Sequence, residues 1–380
     1  MISENSFNML DGPRWAGRRR LVFQCFSPIA LAPLVEGVQN AACNPLVKAI
    51  HALGDRGNKA VDIDQLLLRA TLDSISEVAL GGAVGALADP TAPCWLLESV
   101  EASILLGQYA FTTPFLLRFP FNRLPFVRRS MDKYQAMRRH ALTMAQETRR
   151  KGSAARQDML KVLTTAIDEE TGEKLTDMEV ADEVCLFFTA GTDTTAHTMA
   201  FTLYYIARHT HVQRRIAEEV QEVLGQRDNL DFSDLKKLRY LDATIKESLR
   251  VMPTSASGTD REAPEATTLA GRHIKKGQMI QIPPIVLHYN DDMWHNPTQF
   301  EPERFLQPDT DRHPSAFQPF SGGRRNCTGR AFAMMEATLV LAELIRHFRW
   351  VVPAGYPQLK TKWEFTVVPV QLKLFAVPRS

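Results

Sequence analysis

The stretch FSGGRRNCTGRAF (residues 320–332) places one cysteine among glycines and arginines just before a helical pattern. A cysteine that only fills a core has apolar neighbours, and Cys327 has the opposite surroundings. The glycines remove side chains near the sulfur and leave room for a flat ligand, while backbone N–H groups in such a loop can hydrogen-bond a coordinated sulfur. The helix start and the nearby arginines predict a lowered thiol pKa, which favours the thiolate.

Three interpretations of Cys327 remain open from this stretch alone. A flat ligand that carries a metal is a haem, and the thiolate would then be an iron ligand. A structural cysteine in a glycine-rich turn is the ordinary alternative. A nucleophilic thiolate would need a base, and the segment offers no histidine closer than His313 and His347.

The composition excludes several classes of protein. The chain of 380 residues has 44% hydrophobic and 23% charged side chains and a net charge of +2. Because nucleic-acid binders usually present a strongly basic face, we expect no nucleic-acid partner. The five cysteines form no CxxC pair, so neither a disulfide framework nor a cysteine zinc site is indicated. Since no apolar run has the length of a spanning helix, we expect no transmembrane anchor and no signal peptide in this chain.

Apolar residues recur every three or four positions over long segments, which predicts a mainly α-helical fold with small β-sheets. Strand patterns are short and lie towards the C-terminus. The predicted helices cover residues 66–80, 131–149, 177–209 and 331–348, and the two predicted hairpins cover residues 267–284 and 365–378. We expect a single domain over residues 1–380.

The longest predicted helix, residues 177–209, contains a weak point. A capping box of Thr176 and Glu179 begins the helix, but Gly191 in its middle costs about 1 kcal/mol relative to alanine. Ala190 and Thr194 lie one turn apart on one face, so the Thr194 hydroxyl can bond back to the Ala190 carbonyl and open a local groove. The glycine therefore indicates either a functional notch or a crossing where two helices approach closely.

Two further motifs suggest a supporting ion-pair network. Glu247 and Arg250 lie one turn apart on a predicted helix, and Arg304 follows in the motif PERF at residues 302–305. An exposed pair of this kind contributes little to stability. A buried Glu247 would need both guanidinium groups to satisfy its oxygens, and the triad would then fix the loop that leads to Cys327.

Together these motifs resemble the cytochrome P450 superfamily in kind and in order. The chain contains WxxxR at Trp15 and Arg19, AGxDT at 190–194, ExxR at Glu247 and Arg250, PERF at 302–305 and FxxGxRxCxG at 320–329. The resemblance covers essentially the whole chain. Family members usually carry a long segment before the WxxxR helix, with a membrane anchor in microsomal forms, then two sheet strands and a substrate-capping loop. The resemblance thus implies a cytochrome P450 fold that is N-terminally truncated and lacks the anchor and those strands.

The resemblance also implies a site built around haem b, the iron protoporphyrin IX, with Cys327 as the axial ligand of the iron. Thr194 and Asp193 are implied to be catalytic, with Thr194 hydrogen-bonding dioxygen and Asp193 relaying protons. The other implied haem contacts are Trp15, Arg19, Arg261, Phe320, Gly323, Arg325, Gly329, Ala190 and Gly191, and the implied structural residues are Glu247, Arg250 and Arg304.

The implied activity is that of a monooxygenase that inserts one atom of O2 into a small lipophilic substrate, with electrons from an NADPH-dependent reductase. A truncated haem-binding pseudoenzyme and a haem-thiolate isomerase or dehydratase are the alternatives. The aromatic and arginine-containing segment 109–126 indicates either peripheral membrane contact or an ordinary packed loop. The implied location is the endoplasmic reticulum membrane surface in a eukaryote and the cytoplasm otherwise.

Overall fold

A computed structural model describes residues 6–152, 158–167, 172–306, 312–356 and 358–379, and these ranges are mainly helical. The α-helices are α1 (Gly12–Cys25), α2 (Pro28–Leu31), α3 (Val35–Val38), α4 (Asn44–Gly54), α5 (Ile63–Leu80), α6 (Trp95–Thr112), α7 (Pro125–Lys151), α8 (Met159–Thr165), α9 (Asp177–Arg208), α10 (Thr210–Leu224), α11 (Arg239–Val251), α12 (Pro284–His288) and α13 (Arg330–His347). The strands are β1 (Ala60–Asp62), β2 (Asp260–Glu262), β3 (Thr267–Leu269), β4 (Arg272–Ile274), β5 (Met279–Gln281), β6 (Phe348–Val351), β7 (Thr361–Trp363), β8 (Val367–Pro369) and β9 (Lys373–Pro378).

The helix α9 runs through the centre of the fold. It begins at the predicted capping box, in which the Glu179 N–H donates to the Thr176 hydroxyl (3.2 Å) and the Thr176 N–H donates to the Glu179 carboxylate (2.9 Å). Its 32 residues span about 48 Å at the standard rise. The helix packs against α5, α7, α11 and α13, and most of its side chains are buried.

The strands form small antiparallel sheets, and the pairing differs in part from the predicted hairpins. The segment 267–284 does contain a hairpin of β3 with β4, but β5 pairs with β2 instead. The segment 365–378 does not form a hairpin: β8 pairs with β7, and β9 lies between β1 and β6. Leu374 and Ala376 of β9 are buried, so burial against distant elements decides the partner of this strand.

The predicted ion-pair triad exists and is buried. The Arg250 guanidinium donates to both Glu247 oxygens (2.7 and 2.8 Å), and the Arg304 side chain donates to Glu247 Oε1 (3.1 Å). The side chains of Glu247 and Arg250 are fully buried. Arg250 also donates to the backbone carbonyls of His288 (3.0 Å) and Pro297 (2.7 Å), so the triad fixes the segment after α11.

The histidine His288 extends this network towards the cysteine loop. The Gln318 N–H donates to His288 Nε2 (3.1 Å), and His288 Nδ1 lies 3.2 Å from the Arg250 carbonyl oxygen. Burial lowers the pKa of His288 to about 4, so its ring is neutral at pH 7 and can accept the Gln318 bond. Sequence patterns missed this residue because it belongs to none of the recognised motifs.

Candidate functional site

The cysteine loop leads directly into α13. The Cys327 N–H donates to the Phe320 carbonyl (2.9 Å), and Gly329 is the N-cap residue of α13. Gly323 opens a 3-10 turn with φ of +71°, which favours glycine. A methyl group at Gly323 would meet no atom within 4 Å, and one at Gly329 would lie 4.0 Å from Cys327 Sγ. The glycines therefore leave open space beside an exposed cysteine.

The pKa of the Cys327 thiol is shifted in the direction opposite to the prediction. The expected stabilising groups are present, since the Gly329 and Arg330 N–H groups and the charges of Arg19 and Arg330 all favour the thiolate. Burial has the largest effect, however, and raises the pKa of the thiol above its ordinary value. Although solvent reaches the side chain, the protein around the sulfur removes much of its hydration. The predicted lowering of the pKa is therefore wrong.

Three of the predicted cofactor-binding residues form a cluster beside this loop. The Arg325 guanidinium lies 4.3 Å from the buried Trp15 ring, and the Arg19 guanidinium lies 5.8 Å from it. Arg19 donates to the Asn326 carbonyl (2.9 Å), next to Cys327, and Arg325 donates to the Leu10 carbonyl (2.8 Å). The fold thus gathers residues more than 300 positions apart into one cationic corner.

The predicted Arg261 is not part of this cluster. It is on the exposed strand β2, and its guanidinium donates to the adjacent Asp260 carbonyl (3.1 Å). Phe320, in contrast, packs at the edge of the core near Cys327, with the Arg330 guanidinium 5.7 Å from its ring.

The middle of α9 contains both features that Gly191 indicated, a notch and a close crossing of two helices. The Thr194 hydroxyl donates to the Ala190 carbonyl (2.8 Å), as predicted, and Ala190 is exposed on a helix that is otherwise mostly buried. A methyl group at Gly191 would lie only 3.2 Å from Cγ1 of Ile75 on α5. The glycine therefore permits the α5–α9 crossing, while Ala190 and Thr194 form an accessible notch on a different face.

The predicted proton-relay residue Asp193 is buried in a polar network. Its Oδ1 lies 3.0 Å from His197 Nε2, and its Oδ2 accepts from the Thr366 hydroxyl (2.5 Å). The other ring nitrogen, His197 Nδ1, lies 2.8 Å from Oδ1 of Asp64. The one-turn spacing of Asp193 and His197 was a usable sequence signal, whereas Asp64 and Thr366 are distant in sequence and carried none.

Aromatic packing connects α9, which carries the notch, with α13, which follows Cys327. The ring of Phe26, at the end of α1, lies 5.6 Å from Phe187 of α9 and 6.3 Å from Phe332 of α13. Both partners are close in sequence to the predicted site residues of their helices. The accessible notch and the accessible sulfur therefore belong to neighbouring parts of the fold.

The residues present fit a haem. Cysteine sulfur is a suitable donor for haem iron, the glycines beside Cys327 leave open space, and the arginines at Trp15 suit anionic propionates. The small side chain of Ala190 keeps the notch open. A mainly helical fold with such a cysteine loop defines the class of haem-thiolate proteins.

Comparison with known proteins identifies the family. The cytochrome P450 family model matches residues 3–375, so the chain belongs to the cytochrome P450 family. Cytochrome P450 4V2 of Homo sapiens is 30% identical over 90% of this chain and 67% of its own length. Cytochrome P450 4d2 of Drosophila melanogaster is 29% identical over 91% of this chain and 72% of its own length. The protein is thus a haem-thiolate monooxygenase of this family.

Two further relatives agree with this assignment. A self-sufficient cytochrome P450 monooxygenase, CYP505E5 of Aspergillus kawachii, is 29% identical over the whole chain, which spans 36% of that relative's length. The crystal structure of the cytochrome P450DA heme domain superposes with a TM-score of 0.88 at 25% identity, over 100% of this chain and 81% of that one. The predicted fold class, mainly α with small sheets, is confirmed.

A search of the described ranges for membrane spans gives one weak candidate. No single helix there is long and apolar enough to cross a bilayer. The pair formed by Gly12–Cys25 and Pro28–Gly57, bent by 41°, meets the criteria of length and composition alone.

Proposed function

We propose that this monooxygenase uses haem b to insert one atom of O2 into a lipophilic substrate, with electrons from an NADPH-dependent reductase. The exposed Cys327 in a glycine-lined gap, next to the cationic Trp15 corner, is the observation that carries the proposal. The haem, when bound, supplies the oxidising chemistry. The protein supplies the ligand, the orientation and the protons. We also propose that residues 1–380 form one domain, since the main core draws on residues from α1 to β9.

The residues around Cys327 have distinct proposed roles. The Cys327 thiolate holds the iron, and the Gly329 N–H bonds its sulfur. Trp15, Arg19 and Arg325 bind the propionates. The remaining proposed haem contacts are Arg261, Phe320, Gly323, Gly329, Ala190 and Gly191.

The notch on α9 is the proposed place of oxygen activation. Thr194 keeps its hydroxyl at the notch by donating to the Ala190 carbonyl, and we assign it the hydrogen bond to dioxygen. Asp193, next in the chain, is assigned the delivery of protons to that hydroxyl. This acid–alcohol pair favours monooxygenation over peroxide rearrangement, which needs no such pair.

An apolar cluster supports a lipophilic substrate. The Val367 N–H donates to the Thr254 carbonyl (2.8 Å), which joins the segment after α11 to the β7–β8 hairpin. Phe201 of α9 then packs with Ala256 and Val367 as a small buried cluster. We propose that this side of the notch contacts the apolar part of the substrate.

Surface features support the proposed partners. Several aromatic side chains of segment 109–126 are exposed, among them Phe111 and Phe119 at 69% each, and this supports peripheral contact with a membrane surface. Arg324 and Arg330, on the cysteine loop, are also exposed. They offer a cationic docking patch for a reductase.

Carbon monoxide difference spectroscopy tests the proposal. The reduced, haem-loaded protein should show the red-shifted Soret band that a thiolate ligand causes. Cys327→Ala should lose this band, whereas Cys185→Ala, which alters a buried cysteine of α9, should keep it. Retention of the band in Cys327→Ala would contradict the proposed ligand.

Turnover measurements then test the reaction and the electron source. With NADPH, an NADPH-dependent reductase and a panel of fatty acids, sterols and terpenoids, we expect oxygenated product. Thr194→Ala should lower the product formed per NADPH and raise hydrogen peroxide release. An unchanged ratio would remove Thr194 from oxygen activation.

A further inference from the structure

The histidine His197 lies between two carboxylates inside the fold. Its ring is 2% exposed, with Nδ1 2.8 Å from Asp64 and Nε2 3.0 Å from Asp193. Thr366 occupies the second oxygen of Asp193. We call Asp64, His197, Asp193 and Thr366 the His197 network. It joins α5, α9 and the β7–β8 hairpin at the residue next to Thr194.

The distances fix how many protons the network holds. Each nitrogen–oxygen contact is a hydrogen bond only if a proton lies on it, since an imidazole lone pair and a carboxylate oxygen repel each other. The contacts to Asp64 and to Asp193 therefore hold one proton each. In the contact with Asp193, the proton is bonded either to His197 Nε2 or to Asp193 Oδ1. In both cases it lies between these two atoms.

The surrounding charges agree with a protonated His197. The two carboxylates raise the pKa of His197 to about 10, against the opposing effect of burial. Other acidic groups act on the same carboxylates: Glu101 of α6 interacts with Asp193, and Asp62 interacts with Asp64. Further out, Glu364 interacts with Glu101, and Lys373 of β9 interacts with Asp62. Lys133 and Glu98 also interact with Glu101. Apart from the two lysines, these neighbouring groups are acidic and favour the cation.

We propose that His197 is a positioning residue of the oxygenation reaction, which holds Asp193 in place and stores at that carboxylate the proton that Asp193 relays to Thr194. In the transfer, the Nε2–H bond of His197 breaks and an O–H bond forms at Asp193 Oδ1. That O–H bond breaks in turn when the proton passes to the Thr194 hydroxyl oxygen, which gives its own proton to the bound dioxygen. Solvent later returns a proton to the ring. The role of His197 rests on the relay proposed for Asp193 and Thr194. Sequence motifs suggested that relay but did not include His197.

Magnetic resonance of imidazole nitrogens tests the stored proton without turnover. In the 15N-histidine-labelled protein, one ring should stay doubly protonated from pH 6.5 to 9, and this signal should disappear in His197→Gln. His209→Gln is the matched control, because His209 is the C-cap residue of the same helix and its Nδ1 lies 2.8 Å from the Tyr205 carbonyl oxygen. Titration of the assigned His197 ring near pH 6.5 would overturn the proposal.

The pH dependence of stability gives a second readout. His197 has a folded pKa of about 10, above its ordinary value of 6.5. Its stabilising effect is therefore complete below pH 6.5 and is lost as the pH rises to 10. The melting-temperature difference between the wild type and His197→Gln should shrink over that range, and a constant difference would count against a protonated ring.

Reductase-driven NADPH consumption tests the relay itself. The wild-type rate should be level between pH 6.5 and 9. His197→Gln should be roughly tenfold slower at pH 7.5, a smaller loss than the roughly 10²–10⁴-fold that general acid–base catalysis contributes, because Asp193 and Thr194 remain. Its rate should fall as the pH rises. His209→Gln should match the wild type.

The double variant His197→Gln/Asp64→Asn separates proton storage from charge balance. It restores the net charge of the network without the imidazole, so stability should recover while the slow, pH-dependent rate remains. Full recovery of the rate would show a purely structural role and overturn the proposal. If the wild type consumes no NADPH, the proposed electron source fails, and the imidazole measurement still decides whether His197 stores the proton.

Discussion

Glu336 shows at the residue scale how burial alone can set a charge state. This carboxyl group lies on α13, the helix that Cys327 precedes, and it is 0% exposed. Burial raises its pKa to about 8, and the nearby Ser74 hydroxyl has a smaller effect in the opposite direction. The residue is therefore protonated at pH 7. Burial acts on the Cys327 thiol in the same direction.

The substitution Glu336→Gln should make the stability of the protein less dependent on pH. The unfolded carboxyl group ionises near pH 4.5, whereas the folded group keeps its proton up to about pH 8. Relative to the variant, the wild type should thus lose about 1.4 kcal/mol per pH unit between these values. Urea unfolding of both proteins at pH 5 and pH 8 measures the effect. An equal stability difference at the two pH values would contradict the assigned charge state.

Among the helices, the crossing of α5 and α9 sets the distance between α9, which carries the notch, and its neighbour α5. Gly191 faces Ile75, and the Thr71 hydroxyl of α5 donates to the Thr192 carbonyl of α9 (2.9 Å). Small residues and a side-chain bond to the backbone thus hold the two helices together. The sequence left the role of Gly191 open, because a helix pattern does not show which face meets which neighbour.

Replacing Gly191 with valine should disturb this crossing. The added methyl groups would overpack against Ile75 and cost about 1–3 kcal/mol. Urea unfolding should show the loss, and Ile75→Ala should recover part of it in the double variant. Gly107→Val is the matched control on α6, where the new side chain has open space. Equal losses in Gly191→Val and Gly107→Val would contradict close packing as the cause.

For the whole molecule, the buried triad joins parts of the chain that are far apart in sequence. Arg250 bonds Glu247 on its own helix and carbonyl groups of the segment that leads to the cysteine loop. Through His288 the connection reaches Gln318, close to Cys327. Helical spacing predicted the Glu247 and Arg250 pair, and the PERF motif suggested Arg304 as its partner, although Arg304 lies 57 positions from Glu247. They did not predict the backbone partners, which come from tertiary packing.

Breaking the triad should therefore destabilise the protein and its cofactor site together. Arg250→Met leaves the buried Glu247 charge without its main partner, which should cost about 3–5 kcal/mol. Haem content, measured from the Soret absorbance, should fall in parallel. Lys246→Met is the control on the same helix, since its pair with Asp242 is partly exposed and contributes about 0.5 kcal/mol. A comparable loss in the control would argue against the triad as the cause.

Local sequence is enough to establish the features that depend on neighbours within one or two helical turns. These include the capping box of α9, the Thr194 bond to Ala190, the pair of Glu247 and Arg250, and the position of Cys327 at the start of a helix. Helical geometry fixes such contacts, so spacing is enough to predict them.

The remaining features follow from the packing of the whole chain, because burial and distant partners set both the charge states and the strand pairing. The pKa of Cys327 follows burial more than its basic neighbours. The partners of β9 come from opposite ends of the chain. Asp193 obtains its network from Asp64 and Thr366, which no spacing rule connects to it. FSGGRRNCTGRAF thus identifies the cysteine, while the folded chain determines the environment in which that cysteine acts.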